Sequence, residues 1–219
     1  MLPATATALY RTLTTSTVGR AAVVAGPGSL LAWLHFVAWP QSQAGLAAII
    51  CLSVMAGTLL DDAFEHHVWA TLRLIDACLR LTPEQLDAEI PGTYGSIRET
   101  LRHLVDADSY YLSHLTGRPQ VDPDHMGLAE LREVMEADRD TWREILAREP
   151  RPDAIVRDVD RDGCARDAPV GIRLAQAIHH GTDHRSQVCS VLTTLGVDPP
   201  DIDVWEFGTQ TGRVVETSA

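Results

Sequence analysis

Hydrophobic and polar residues follow two different patterns along this chain, and the change falls near Asp61. Over Ala21–Leu60 no position carries a charged side chain. After Asp61, apolar residues recur every three or four positions among charged ones, which is the pattern of amphipathic helices. We therefore predict two parts, an apolar N-terminal extension over residues 1–61 and a helical domain over residues 62–219.

The apolar extension has the length and polarity of a membrane hairpin. A polar break at residues 40–43 divides it into Ala21–Trp39 and Ala44–Leu60, each about long enough to cross a hydrocarbon core of roughly 30 Å. Arg11 and Arg20 precede the first segment and would stay in the cytoplasm, so the helical domain is expected there as well. A soluble or disordered appendage and a cleaved signal peptide are the alternatives.

Four amphipathic helices are predicted after residue 61, with ends set by capping residues and glycines. They cover Asp61 to Leu81, Ser96 to Gly117, Leu128 to Arg148 and Val170 to Leu195. A short helix begins at Thr82, and residues 151–167 are expected to form a loop or a short β-hairpin. Four long helices in antiparallel order predict an all-α, up-down four-helix bundle.

The amino-acid composition bears on which macromolecules this protein can bind. The chain has 30 acidic and 18 basic residues, for a net charge of -12. A nucleic-acid-binding protein needs a basic face to neutralise phosphates, so no nucleic-acid partner is expected. The four cysteines are widely spaced and form no CxxC pair, which favours free thiols in a reducing cytosol.

Two of the nine histidines have the spacing of metal ligands. His180 and His184 are four residues apart on a predicted helix, so both imidazoles project from one face and can bind one ion. Hydrogen bonding inside the core is the alternative role for such a pair. A third ligand has to come from another helix, and spacing alone leaves His103, His66 and His67 as candidates.

Two longer motifs resemble those of the DinB/YfiT-like proteins. The stretch Glu99–Asp108, ETLRHLVDAD, is similar to the signature of their second helix, and His180–Gln187, HGTDHRSQ, is similar to their HxxxHRxQ signature. The resemblance covers about residues 62–213. It implies a four-helix bundle with a zinc- or nickel-type ion held by three histidines. These are His103, His180 and His184.

The resemblance also implies an activity. Three imidazoles leave at least one position open on a tetrahedral ion, which suggests catalysis more than a structural role. Several proteins of this superfamily resemble thiol-dependent transferases or isomerases, so the expected function is a metal-dependent thiol S-transferase. Its substrates would be a bacterial low-molecular-weight thiol such as mycothiol and a small-molecule electrophile. The residues expected to contact the substrate are Arg185, Tyr110 and Gln187, while Asp106 and Asp183 are candidates to orient the ligand imidazoles.

Two other functions are compatible with these motifs. If a protein side chain closes the metal site, a non-catalytic metal-binding stress-response protein is expected. If residues 21–60 enter a membrane and the metal is dispensable, a membrane-tethered interaction module is expected. Residues 1–61 fall outside the family pattern, as a fused segment would, and bundles of this type often pair as homodimers.

Overall fold

The computed structural model describes residues 57–159 and 163–217 of the chain. This described part contains six helices and one two-stranded sheet. The elements are α1 (Leu59–Cys78), α2 (Pro83–Leu86), α3 (Ile97–Thr116), α4 (Leu128–Ala147), β1 (Ile155–Val159), β2 (Ala165–Pro169), α5 (Val170–Thr194) and α6 (Val204–Gln210). The four long helices, α1, α3, α4 and α5, pack as a bundle, so the predicted all-α four-helix fold is confirmed.

The start of α1 lies slightly earlier than the sequence pattern indicated. Thr58 caps the helix: its hydroxyl accepts from the Asp61 N–H at 3.2 Å, and the Asp61 carboxylate accepts from the Thr58 N–H at 2.7 Å. Leu59 and Leu60, the last residues of the uncharged run, therefore belong to α1. The rest of the predicted membrane hairpin, residues 21–56, lies outside the described residues. Among the helices of the described ranges, none is long and apolar enough to cross a membrane.

Two apolar clusters, one toward each end of the bundle, show the direction in which each helix runs. The first cluster includes Leu74, Ile75, Leu101, Leu131 and Val191. The second includes Phe64, Val68, Leu112, Trp142 and Leu174. Along the chain, α1 and α5 pass from the second cluster to the first, whereas α3 and α4 pass from the first to the second. The helices α3 and α4 are therefore parallel neighbours.

The parallel pair differs from the antiparallel order that the sequence suggested. A helix of 20 residues is about 30 Å long. Residues 117–127 join α3 to α4 and can span up to about 36 Å when extended, which is enough to return along the bundle. Arg118 donates to Glu144, so that the ends of α3 and α4 lie together.

Buried polar groups form a polar layer next to the two apolar clusters. It is formed where each long helix passes through the middle of the bundle, and its members are His67, Thr71, Asp108, Asp138 and Arg185. Polar groups removed from water in this way need partners within the protein. The layer is therefore the part of the core in which the position of each side chain matters most.

The strands β1 and β2 form an antiparallel hairpin, which settles the choice between loop and hairpin over residues 151–167. The buried carboxylate of Asp158 attaches it to the bundle. Asp158 accepts from the Tyr110 hydroxyl on α3 and from Arg173 Nη1 on α5, the latter at 3.1 Å. One buried carboxylate thus joins the hairpin to two helices, through a hydrogen bond to α3 and an ion pair with α5.

Asp138 on α4 gives a test of the polar layer, because its Oδ2 is buried without a hydrogen-bond partner in the described part of the chain. Burial, and next the negative charge of Asp108, raise the pKa of the Asp138 carboxyl to about 7. The folded protein binds this proton more tightly than the unfolded chain, in which the pKa is about 3.9. The carboxyl therefore lowers stability progressively as the pH rises from about 4 to about 7.

We expect Asp138→Asn to raise the free energy of unfolding by about 1–3 kcal/mol at pH 8 and by much less at pH 4. Urea unfolding at both pH values measures the difference. Asp140→Asn, at an exposed position of the same helix, is the control and should raise the free energy of unfolding at neither pH value. An equal effect of Asp138→Asn at the two pH values would contradict a buried, proton-binding carboxyl.

Candidate metal centre

Three histidine side chains from two neighbouring helices meet beside the polar layer. His103 lies in the middle of α3, and His180 and His184 lie one turn apart on α5, which packs against α3. Their ligand atoms all lie within 4.8 Å of one another. In the described ranges, no other group of three or more His, Cys, Asp or Glu side chains is arranged in this way. The fold therefore brings His103 to the pair on α5.

The spacing of these imidazoles fits a divalent ion. Zinc binds imidazole nitrogen at about 2.0–2.1 Å, so two ligand nitrogens on a tetrahedral ion lie about 3.3 Å apart. The Nε2 atoms of His103 and His180 are 3.0 Å apart, close to that value. Imidazole donors of this kind suit zinc, copper, iron and nickel. Within the described residues, His180 Nδ1 is buried without a hydrogen-bond partner.

Burial favours the neutral form of two of these imidazoles, His180 and His103. Burial, together with the neighbouring His184 and His103, lowers the pKa of His180 to about 4. Burial also lowers the pKa of His103, with His184 as the next cause. Both rings are therefore neutral near pH 7, and a neutral imidazole offers a lone pair to a metal ion.

Tyr94 covers one side of the site. Its ring stacks on His103, with centroids 4.1 Å apart and an interplanar angle of 10°, and lies nearly perpendicular to the His184 ring, with centroids 5.2 Å apart. Tyr94 lies in the turn before α3 and is 55% exposed. The position of Tyr94 at this site could not be predicted from the sequence, because a turn residue carries no periodic signal that would place it against a helix.

Gln187 contacts both a ligand and the turn that carries Tyr94. Its Oε1 lies 3.0 Å from His184 Nδ1 and accepts a hydrogen bond from the Tyr94 N–H at 3.1 Å. Gln187 follows His184 by three residues on α5, which places the two side chains on neighbouring positions of one face. Its contact with a substrate stays a prediction, whereas its contact with the His184 imidazole is part of the structure.

Tyr110 and Arg185, the other residues expected to contact substrate, have their described contacts inside the protein. The Tyr110 hydroxyl donates to Asp158 of the hairpin. Arg185 is 2% exposed, and its guanidinium donates to His67 and Thr71 on α1. A role of either residue in substrate binding stays a prediction.

The rival histidines have other hydrogen-bond partners, and Asp106 lines the groove beside His103. His66 Nε2 is 2.8 Å from a backbone carbonyl, and His67 Nε2 is 2.7 Å from a carboxylate of Asp108, so neither joins the three histidines. Asp106 accepts from the side-chain amide of a glutamine in the following loop, and Asp183 is exposed. The buried carboxylate of this region is therefore Asp108, which the sequence analysis did not single out.

A polar groove of about 420 Å³ opens beside His103. Its lining includes Tyr94, Glu99, Arg102, Asp106 and Asp124. The groove gives a small molecule access to the His103 side of the site.

The model of the DinB family matches residues 55–214 of the chain. The matched range contains all six described helices and the three histidines. No curated protein matches the chain. Because the family match covers most of the sequence, the protein belongs to the DinB family.

Proposed function

We propose that this protein binds one divalent ion, zinc or nickel, through His103, His180 and His184, and that it is a metal-dependent thiol S-transferase. The observation that carries the proposal is the convergence of three imidazoles from two helices, with ligand atoms within 4.8 Å of one another. Three imidazole nitrogen donors at this spacing are a ligand set of catalytic zinc sites.

The hydrogen bonds of Gln187 support His184 as a ligand. The Tyr94 backbone N–H can only donate, so the Gln187 atom that faces it is the carbonyl oxygen. The same oxygen lies 3.0 Å from His184 Nδ1, which therefore carries the hydrogen. His184 Nε2 is left with the lone pair. A hydrogen bond from the second ring nitrogen is how proteins orient histidine ligands.

The open position of the site supports a catalytic role. Three protein ligands leave at least one position for a substrate atom, and the groove beside His103 admits a small molecule. A divalent ion bound there supplies a Lewis acid that favours the thiolate over the thiol. In the proposed transfer, the thiol proton passes to solvent, the sulfur bonds to an electrophilic carbon, and the leaving group departs with its electron pair. A low-molecular-weight thiol such as mycothiol is the proposed donor.

Metal content tests the ligand set directly. We expect the purified chain to contain close to one equivalent of zinc or nickel, and His180→Ala/His184→Ala to lose it, because one remaining imidazole binds weakly. Elemental analysis after gel filtration measures both. His179→Ala, which removes an exposed histidine from the same helix, is the control and should keep the metal. A wild-type chain that binds neither ion after incubation would sink the proposal.

The role of Gln187 has its own test. Gln187→Ala leaves the His184 Nδ1–H without its acceptor, so we expect metal affinity to fall about 10- to 100-fold. Gln187→Glu keeps an acceptor oxygen and should retain most of the affinity. Competition with a chromophoric chelator measures both values, with Ser186→Ala as the exposed control. Equal affinities for Gln187→Ala and the wild type would show that Gln187 does not orient His184.

Thiol transfer is tested by the release of chloride from a chlorinated aromatic electrophile in the presence of mycothiol. We expect the metal-loaded protein to accelerate the reaction, and expect no acceleration with His180→Ala/His184→Ala. His179→Ala should retain the wild-type rate. A chain that binds metal but accelerates no reaction across a panel of thiols and electrophiles would favour a non-catalytic metal-binding protein instead.

A further inference from the structure

A series of buried polar groups, linked by hydrogen bonds, crosses the bundle next to the three histidines. Arg185 Nη1 on α5 donates to His67 Nδ1 on α1 at 3.1 Å, and His67 Nε2 lies 2.7 Å from Asp108 Oδ2 on α3. The exposed fractions of His67, Asp108 and Arg185 are 0%, 1% and 2%. Three helices are thus joined through two hydrogen bonds in the polar layer.

The direction of each hydrogen bond in this series follows from the chemistry of the two end groups, Arg185 and Asp108. A guanidinium only donates, so His67 Nδ1 is the acceptor and Nε2 carries the hydrogen that goes to Asp108. A neutral imidazole therefore bridges a buried cation and a buried anion. The pairing satisfies both charges, because neither is left uncompensated away from water.

This arrangement of His67 and Asp108 is not that of a catalytic pair. Both nitrogens of the His67 ring are occupied, one by Arg185 and one by Asp108. The ring has no exposed surface, and the groove beside the metal site is lined by other residues. Its contacts instead connect the helices that carry the ligands.

Arg185 is attached to α1 at more than one point. Besides His67 Nδ1, its Nη1 donates to Thr71 Oγ1 at 3.1 Å and to the His67 carbonyl at 3.3 Å. Its Nη2 donates to Thr182 Oγ1 on its own helix at 3.2 Å. A planar guanidinium held at several points fixes the adjacent backbone, and the preceding residue is the ligand His184.

Gly181 provides a second, independent sign of close contact. A Cβ at this position would lie 2.6 Å from His67 Nδ1 and 2.8 Å from Arg185 Nη1, and closer still to His67 Cε1. Glycine is thus needed for the His67 ring to lie directly on the backbone of α5. That stretch of backbone lies between His180 and His184.

We infer that Arg185, His67 and Asp108, with Gly181, are positioning residues that hold α5 and α3 at the separation that the three-histidine site requires. The chain of hydrogen bonds ends on Asp108, which follows His103 by five residues on α3, and begins on Arg185, which follows His184 directly. The inference rests on the proposed metal site, since it assigns these residues to the geometry of that site.

Cobalt binding to the full chain tests the inference, because Co²⁺ reports its coordination through its visible absorption spectrum. We expect Asp108→Ala and Gly181→Ala each to raise the Kd for Co²⁺ about 10- to 100-fold and to alter the spectrum. The matched control is Leu131→Ala, which removes a fully buried side chain of the first apolar cluster on α4, a helix without ligands. It lowers stability but should leave the Kd and the spectrum unchanged.

A purely structural role predicts a different result. Urea unfolding of the metal-free proteins gives the stability of each variant, so the Kd can be compared at similar losses of stability. If Asp108→Ala and Gly181→Ala keep the Kd and spectrum of Leu131→Ala, the positioning role is wrong even though the metal site stands. If the wild type itself binds no Co²⁺, Zn²⁺ or Ni²⁺, the proposed metal site fails and the inference fails with it.

A double variant tests whether contact with the His67 ring causes the loss of metal affinity in Gly181→Ala. In the His67→Ala background, Gly181→Ala should add much less loss of affinity than it causes alone, because the ring that its Cβ would meet is gone and the Arg185 guanidinium can move into the space that the ring leaves. Additive losses in His67→Ala/Gly181→Ala would overturn the assignment of Gly181 to this contact. The comparison of His67→Ala with His67→Ala/Gly181→Ala can be made even if Gly181→Ala alone does not fold.

Discussion

Buried polar groups in the middle of the bundle have to satisfy one another, because an unpaired group there costs about 1–3 kcal/mol. Arg185, His67 and Asp108 meet this constraint as a single series of donors and acceptors. The apolar clusters specify the alignment of the helices less sharply, since hydrophobic contacts do not depend on direction. Hydrogen bonds do depend on direction, so the polar layer determines which turn of α5 lies against α1 and which turn of α3 lies opposite.

The proposed metal site and the polar layer use the same two turns of α5. Successive residues of a helix point about 100° apart, so His184 can face α3 while Arg185 faces α1. The proposed ligands and the groups that align the helices therefore alternate along HGTDHRSQ. The HGTDHRSQ motif is short because its residues contact two adjacent helices, α1 and α3.

Features that depend on neighbours in the chain could be predicted from the sequence. The capping pair at Ser96 and the spacing of the two histidines on α5 are of this kind. His103 was chosen through the family resemblance, since its distance to the other ligands depends on how α3 packs on α5. Tyr94, Asp108 and the parallel direction of α3 and α4 were not predicted. Each depends on contacts between residues that are remote in sequence, and no periodic pattern records such contacts.

The contact between Gly181 and the His67 ring has a consequence for sequence drift in this protein. A larger residue at position 181 is tolerated only after the side chain at position 67 has become smaller, and that change removes the bridge between Arg185 and Asp108. Positions 67 and 181 are therefore expected to vary together or not at all across related sequences. A homologue with alanine at the position of Gly181 should have reorganised the whole polar layer, and its metal chemistry need not be the same.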